Sequence, residues 1–125
     1  MDKKKILIID DEDGFTRMVK LNLEATGRFE VRNENKAAEG LSAAKAFRPD
    51  LIFLDIVMPD IEGSEVANQI KADKNLKDIP IIYLTATVTS DEVDLEGGKI
   101  GGQSFLPKPV TVKQMVVCIE NNIGK

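Results

Sequence analysis

Five polar residues stand where apolar stretches of this sequence stop. Asp10-Asp11 follow "KILII", Asp55 follows "LIFL", Thr85 closes "IPIIYL", and Lys108 follows "SFLP". If each apolar run is a strand of one sheet, these groups line its carboxyl edge, where open α/β sheets bind their ligands. Three carboxylates, a hydroxyl and an ammonium would then converge. Carboxylates so close repel, and their pKa values rise unless a cation neutralises them. A hard divalent ion answers that: Mg2+ (or Mn2+) is held by one or two carboxylates and leaves room for a phosphate oxygen. Thr85 could donate a hydrogen bond to a phosphoryl oxygen, and Lys108 could pair with another. A carboxylate can itself serve as nucleophile through an acyl phosphate.

Each residue has a plainer reading when taken alone. A strand-end Asp is most often a cap or turn residue, and Asp10-Asp11-Glu12-Asp13 precedes a helical stretch whose dipole favours acids. Thr85 alone reads as a strand-end hydroxyl bonded to backbone, and Lys108, between Pro107 and Pro109, as a solvated turn lysine. Only their convergence at one edge argues for a site.

The elements that must position them alternate along the chain. Lys5–Asp10, Phe29–Asn33, Leu51–Asp55, Ile79–Thr85 and Ser104–Leu106 read as strands. Ile6–Ile9 and Leu51–Leu54 are apolar without alternation, the pattern of strands buried on both faces of a parallel sheet. Between the strands, apolar residues recur at helical spacing. Phe15, Met18, Val19 and Leu23 form one stripe, stopped by Gly27; Ala37, Leu41, Ala44 and Phe47 form another, ended by Arg48-Pro49. A third carries Val66, Ala67 and Ile70. The last carries Val112, Met115, Val116, Ile119 and Ile123, opened by Thr111 with Gln114 three residues on, a capping-box pattern. Alternation of this kind implies right-handed crossovers and a doubly wound α/β sheet with helices on both faces, in one domain over residues 1–125. The weak member is a helix expected in "TSDEVDLEGGKIGG". Thr89 or Ser90 would cap it, but only Val93 and Leu95 precede Gly97, Gly98, Gly101 and Gly102, so it should be short, irregular or mobile.

Composition narrows the chemistry. The chain has 125 residues, 42% apolar and 30% charged, as in an ordinary globular domain. No apolar run approaches the length of a membrane span, and the run behind Lys3-Lys4-Lys5 stops too soon for a secretory signal. Cys118 is the one cysteine, which excludes an internal disulfide and fits a reducing compartment; the cytoplasm is the expected location. With no histidine, histidine triads and phosphohistidine chemistry within the chain are excluded. A net charge of −4 argues against direct nucleic-acid binding.

In order and spacing, "KILIIDDE", "LIFLDIVMPDIEG", "IIYLTA" and "FLPKPV" resemble the receiver domain of bacterial two-component response regulators, chemotaxis-regulator-like, over nearly the whole chain. The resemblance implies a flavodoxin-like five-stranded parallel sheet in order 2-1-3-4-5. It makes Asp55 the phosphoacceptor, and has Asp10, Asp11, Asp55 and the backbone carbonyl of Val57 hold Mg2+. Thr85 and Lys108 would bind the phosphoryl group. In the switch it implies, Thr85 moves towards that group and the aromatic Phe105 turns inward. Phe105 stands where a tyrosine is often found, and simple core packing accounts for it equally well. Val57 and Thr87 occupy the positions that tune phosphoryl lifetime. Neither is an acid or amide suited to orienting a water, so slow self-dephosphorylation is expected. Lys108–Pro109 is a candidate cis peptide. The expected partners are a sensor histidine kinase or phosphotransfer protein and a downstream effector.

Three other readings compete. A phosphatase of the haloacid-dehalogenase type needs a second acid two residues after the nucleophile, where Val57 stands. A flavodoxin-like cofactor binder lacks a phosphate loop after the first strand, where four acids would repel phosphate. A receiver-like module that binds partners without phosphorylation usually lacks part of the acidic set or the lysine, and all five residues are present here. The output stays open between a stand-alone regulator, a receiver within a longer chain and part of a hybrid kinase; Met1 just before the first strand favours a native start.

Overall fold

The computed structural model describes residues 3–59, 61–85, 99–100 and 103–124. Its strands are β1 (Lys4–Ile9), β2 (Phe29–Glu34), β3 (Leu51–Asp55), β4 (Ile81–Thr85), β5 (Lys99–Ile100) and β6 (Gln103–Pro107). The helices are α1 (Asp13–Ala25), α2 (Gly40–Phe47, entered through a 3-10 turn at Ala37–Glu39), α3 (Gly63–Lys71) and α4 (Val112–Ile123). The helix expected between Thr89 and Gly102, the glycines within it and Thr87 lie outside the described residues. No helix among those described is long and apolar enough to cross a membrane.

The sheet runs β2-β1-β3-β4-β6-β5, parallel except for the last pair. The five parallel strands thus stand in the expected order, with β6 as the fifth. The addition is β5, two residues pairing antiparallel with β6 through Lys99↔Ser104 and Ile100↔Gln103.

The unbroken apolar runs are explained by two cores, one on each face. Ile6 and Ile8 of β1 and Leu51 and Phe53 of β3 pack with Val19 and Leu23 of α1 and Met115 and Ile119 of α4. Leu7, Ile9, Ile52 and Leu54 face the other way, onto Ala43, Ala44, Val66 and Ile70 of α2 and α3. Successive strand side chains point to opposite faces, so a strand between two helical layers needs an apolar residue at every position. Full burial of one such side chain is worth roughly 1.5–3 kcal/mol. The helix ends follow local rules: α2 stops at Arg48, which takes a left-handed conformation (φ 51°) before Pro49, and α4 opens with both arms of the Thr111–Gln114 capping box formed.

Candidate functional site

The alternation that buries β1 and β3 also aims their last residues. Ile6, Ile8 and Asp10 share one face of β1 and its extension; Leu51, Phe53 and Asp55 share the same face of β3. β1 pairs with β2 on one side and β3 on the other, so the chain departs in opposite directions from neighbouring strand ends. That reversal opens a crevice at the carboxyl edge. Asp10 and Asp55 stand at its floor.

Both are buried, Asp10 completely and Asp55 to 5% exposure, while Asp11 is exposed. Carboxylate oxygens of Asp10, Asp11 and Asp55 lie within 4.8 Å of one another. Lys108 Nζ sits 2.8 Å from Asp10 Oδ2, 2.8 Å from Glu12 Oε1 and 3.8 Å from Asp55 Oδ2. The contact to Asp10 is an ion pair not aligned as a hydrogen bond, so this buried oxygen has no directed partner among the described residues. Asp10 Oδ1 accepts from the Glu12 N–H (2.9 Å), and Asp55 Oδ1 from the Val57 N–H (3.3 Å).

Burial pushes the Asp55 carboxyl up to about 6, helped by the charges of Asp10 and Asp11 and opposed by Lys108 and the Val57 N–H. Burial also raises Asp10, against the contacts from Lys108 and Glu12 that stabilise its charge. Burial alone would lower Lys108, but the nearby carboxylates of Asp10 and Glu12, with Asp55 beyond them, outweigh that and hold the ammonium above its ordinary value. The edge is therefore overloaded with negative charge. A buried acceptor oxygen lacking a directed bond and three convergent carboxylates fit a hard divalent cation with oxygen ligands.

The remaining sequence-expected residues are distributed around this centre. Thr85 ends β4, is buried, and its carbonyl accepts the Lys108 N–H at 2.9 Å. That bond ties the lysine's backbone to the threonine's strand. Lys108–Pro109 is cis. The Val57 side chain is 67% exposed and does not line the crevice floor. Phe105 is partly buried, its ring 5.3 Å from that of Tyr83 and packed on the α2–α3 core. Gly63 closes the loop that follows Asp55. Its backbone angle is not in the positive range that favours glycine; space is what requires it. A Cβ there would collide with the Asp55 carbonyl oxygen and come within 2.7 Å of Ile56 Cα. Its N–H also donates to Ile56 O (2.8 Å), clasping the loop after Asp55 to the start of α3.

Sequence reasoning missed Asn35, Phe15 and the reach of Glu12. Asn35 Nδ2 donates to the Asp10 carbonyl (2.8 Å) and to Thr16 Oγ1 (3.0 Å), holding the acidic loop against the end of β2. Phe15 puts its ring 5.2 Å below Lys108 Nζ. Position relative to the acids was the available signal: Phe15 falls one helical turn beyond Asp11, and Asn35 just past a strand parallel to β1.

Comparison with known proteins agrees with this geometry. Residues 6–120 match the response regulator receiver domain family. The polar-differentiation response regulator DivK of Brucella anthropi is 32% identical over 122 residues, 97% of each chain. The chemotaxis protein CheY4 of Vibrio cholerae superposes with a TM-score of 0.81 at 29% identity, covering 98% of this chain and all of that one. A receiver domain from a sensor histidine kinase of Pseudomonas aeruginosa shares the fold (TM-score 0.80, 22% identity, 99% of this chain and 100% of that one), and that structure has a magnesium ion coordinated in its active-site cleft. With its sheet order, its edge of acids and these matches, the chain belongs to the receiver domains of two-component response regulators, whose role is phosphorylation-based signalling.

Proposed function

We propose that all 125 residues form one receiver domain that takes a phosphoryl group onto Asp55 and carries it as a signal. The observation that carries the reading is the meeting of Asp10, Asp11 and Asp55 oxygens within 4.8 Å, with Lys108 spanning Asp10 and Asp55. Asp55 Oδ would attack phosphorus in line with the leaving group, and Lys108 would neutralise charge on a phosphoryl oxygen. Thr85, one strand over, would donate its hydroxyl to another. Asp10, Asp11, Asp55 and the Val57 carbonyl would hold Mg2+, which when bound supplies charge neutralisation for the incoming phosphoryl group.

The donor would be a sensor histidine kinase or phosphotransfer protein, and the chain acts in the cytoplasm without itself gripping nucleic acid or membrane. It is a self-catalysed acceptor rather than a turnover enzyme. Its readout would be Thr85 drawn inward with repacking of Phe105. Val57 and Thr87 offer no acid or amide to orient a water, so loss of the phosphoryl group would be slow; a lifetime of seconds would count against that.

Incubation with Mg2+ and acetyl phosphate tests the core of the reading. The expected result is a mass gain of one phosphoryl group that is absent in Asp55→Asn. No gain in the unaltered protein would favour an interaction module that works without phosphorylation.

A further inference from the structure

Glu12 stands at the N-cap of α1, where Ser, Thr, Asp or Asn usually turn a side chain back onto the helix's first N–H groups. Glu12 makes no such bond. Its carboxylate reaches instead to Lys108, Oε1 accepting from Nζ at 2.8 Å. Asp10 Oδ2 is equally near that ammonium but receives no directed bond, and Asp55 Oδ2 is 3.8 Å away. The Phe15 ring lies on the same side, 5.2 Å from Nζ. The ammonium is therefore held between Glu12 and Asp10 and stands farther from Asp55. Glu12 also adds a further negative charge beside a crevice that would receive an anion. On repulsion alone that is unfavourable, and the helix gains no cap in exchange.

We propose that Glu12 is a positioning residue that parks Lys108 against α1 in the resting protein, so that Lys108 must exchange Glu12 for a phosphoryl oxygen as Asp55 is loaded. This rests on the reading of Asp55 and Lys108 given above and concerns how fast that site loads. The covalent step is unchanged: a bond forms between Asp55 Oδ and phosphorus while the phosphorus–oxygen bond of acetyl phosphate breaks and acetate leaves, or, with a phosphohistidine donor, the phosphorus–nitrogen bond breaks and the imidazole leaves. Lys108 keeps its proton throughout. The exchange is one of hydrogen-bond partners.

The test measures Asp55 phosphorylation of the full chain by intact mass, with Mg2+ and a series of acetyl phosphate concentrations. Glu12→Gln is expected to raise the maximal loading rate about two- to fivefold, the range set by one exposed ion pair, with little change in the half-saturating concentration. Glu12→Asp keeps the charge but is one methylene shorter, and should behave like Glu12→Gln. In a Lys108→Ala background, Glu12→Gln should change nothing. An unchanged rate in Glu12→Gln, a Glu12→Asp variant matching the original, or a gain that persists without Lys108 overturns the proposal. A second readout needs no phosphorylation: the nitrogen-15 resonance of the Lys108 ammonium should shift in Glu12→Gln, and an unmoved resonance also overturns it. If the unaltered protein takes no phosphoryl group, the reading of Asp55 fails by itself, and the resonance still decides whether the clamp exists.

Discussion

At the residue scale, the burial and crowding of the Asp55 carboxylate are a source of instability with a definite pH signature. Asp55 ionises near 3.8 when the chain is unfolded and near 6 when folded. The folded state therefore binds the proton more tightly, and stability falls as pH rises through that window. The contribution is present in full below pH 3.8 and lost above about 6. The shift corresponds to roughly 3 kcal/mol. In EDTA at pH 7.5, Asp55→Asn should accordingly be more stable than the original by about 2–3 kcal/mol, with the advantage gone near pH 4. Urea titrations of both proteins at the two pH values measure this; equal midpoints at pH 7.5 would show that burial is not straining the carboxylate. Asp10 shares the same burial, which is why its carbonyl and side chain are both tied down, by Asn35 and by the Glu12 N–H.

At the scale of elements, β3 and the loop behind it form one unit. Leu51 to Leu54 are wholly buried between two helical layers, and Gly63 closes the loop so tightly that it leaves no room for a methyl group. Gly63→Ala must push α3 off the Asp55 backbone. It is expected to destabilise by about 1–3 kcal/mol and also to weaken phosphorylation, because the displaced atom is the acceptor's own carbonyl. A chemical denaturation curve and the acetyl phosphate assay read the two effects, and a variant normal in both would refute the contact. Such facts mark where the sequence was legible. Strand existence, the parallel sheet and the convergence of acids followed from unbroken apolar runs and from what stopped them, since period and position are local properties. The need for Gly63, the bond from Asn35 and the grip of Glu12 on Lys108 depend on which loops lie side by side. Glu12 and Lys108 are 96 positions apart, and only the folded sheet edge brings them together.

For the molecule as a whole, a cation at the crevice would act as a stabiliser of the fold. A ligand that binds only the folded state and is present at a hundred times its dissociation constant adds about 2.7 kcal/mol. Thermal melts should therefore rise with Mg2+ at pH 7.5, and Asp10→Asn should flatten the dependence. A melting temperature indifferent to Mg2+ in the unaltered protein would speak against a metal at this edge. The pairing of Tyr83 with Phe105 has a practical consequence of another kind. The chain has no tryptophan, and Tyr83 is its one tyrosine, buried two residues before Thr85 with its ring against Phe105. Excited beyond the absorption band of phenylalanine, the unlabelled protein thus emits from a single fluorophore lodged beside the residues whose rearrangement is in question. Any repacking of Phe105 should change its intensity, so the molecule carries its own optical probe.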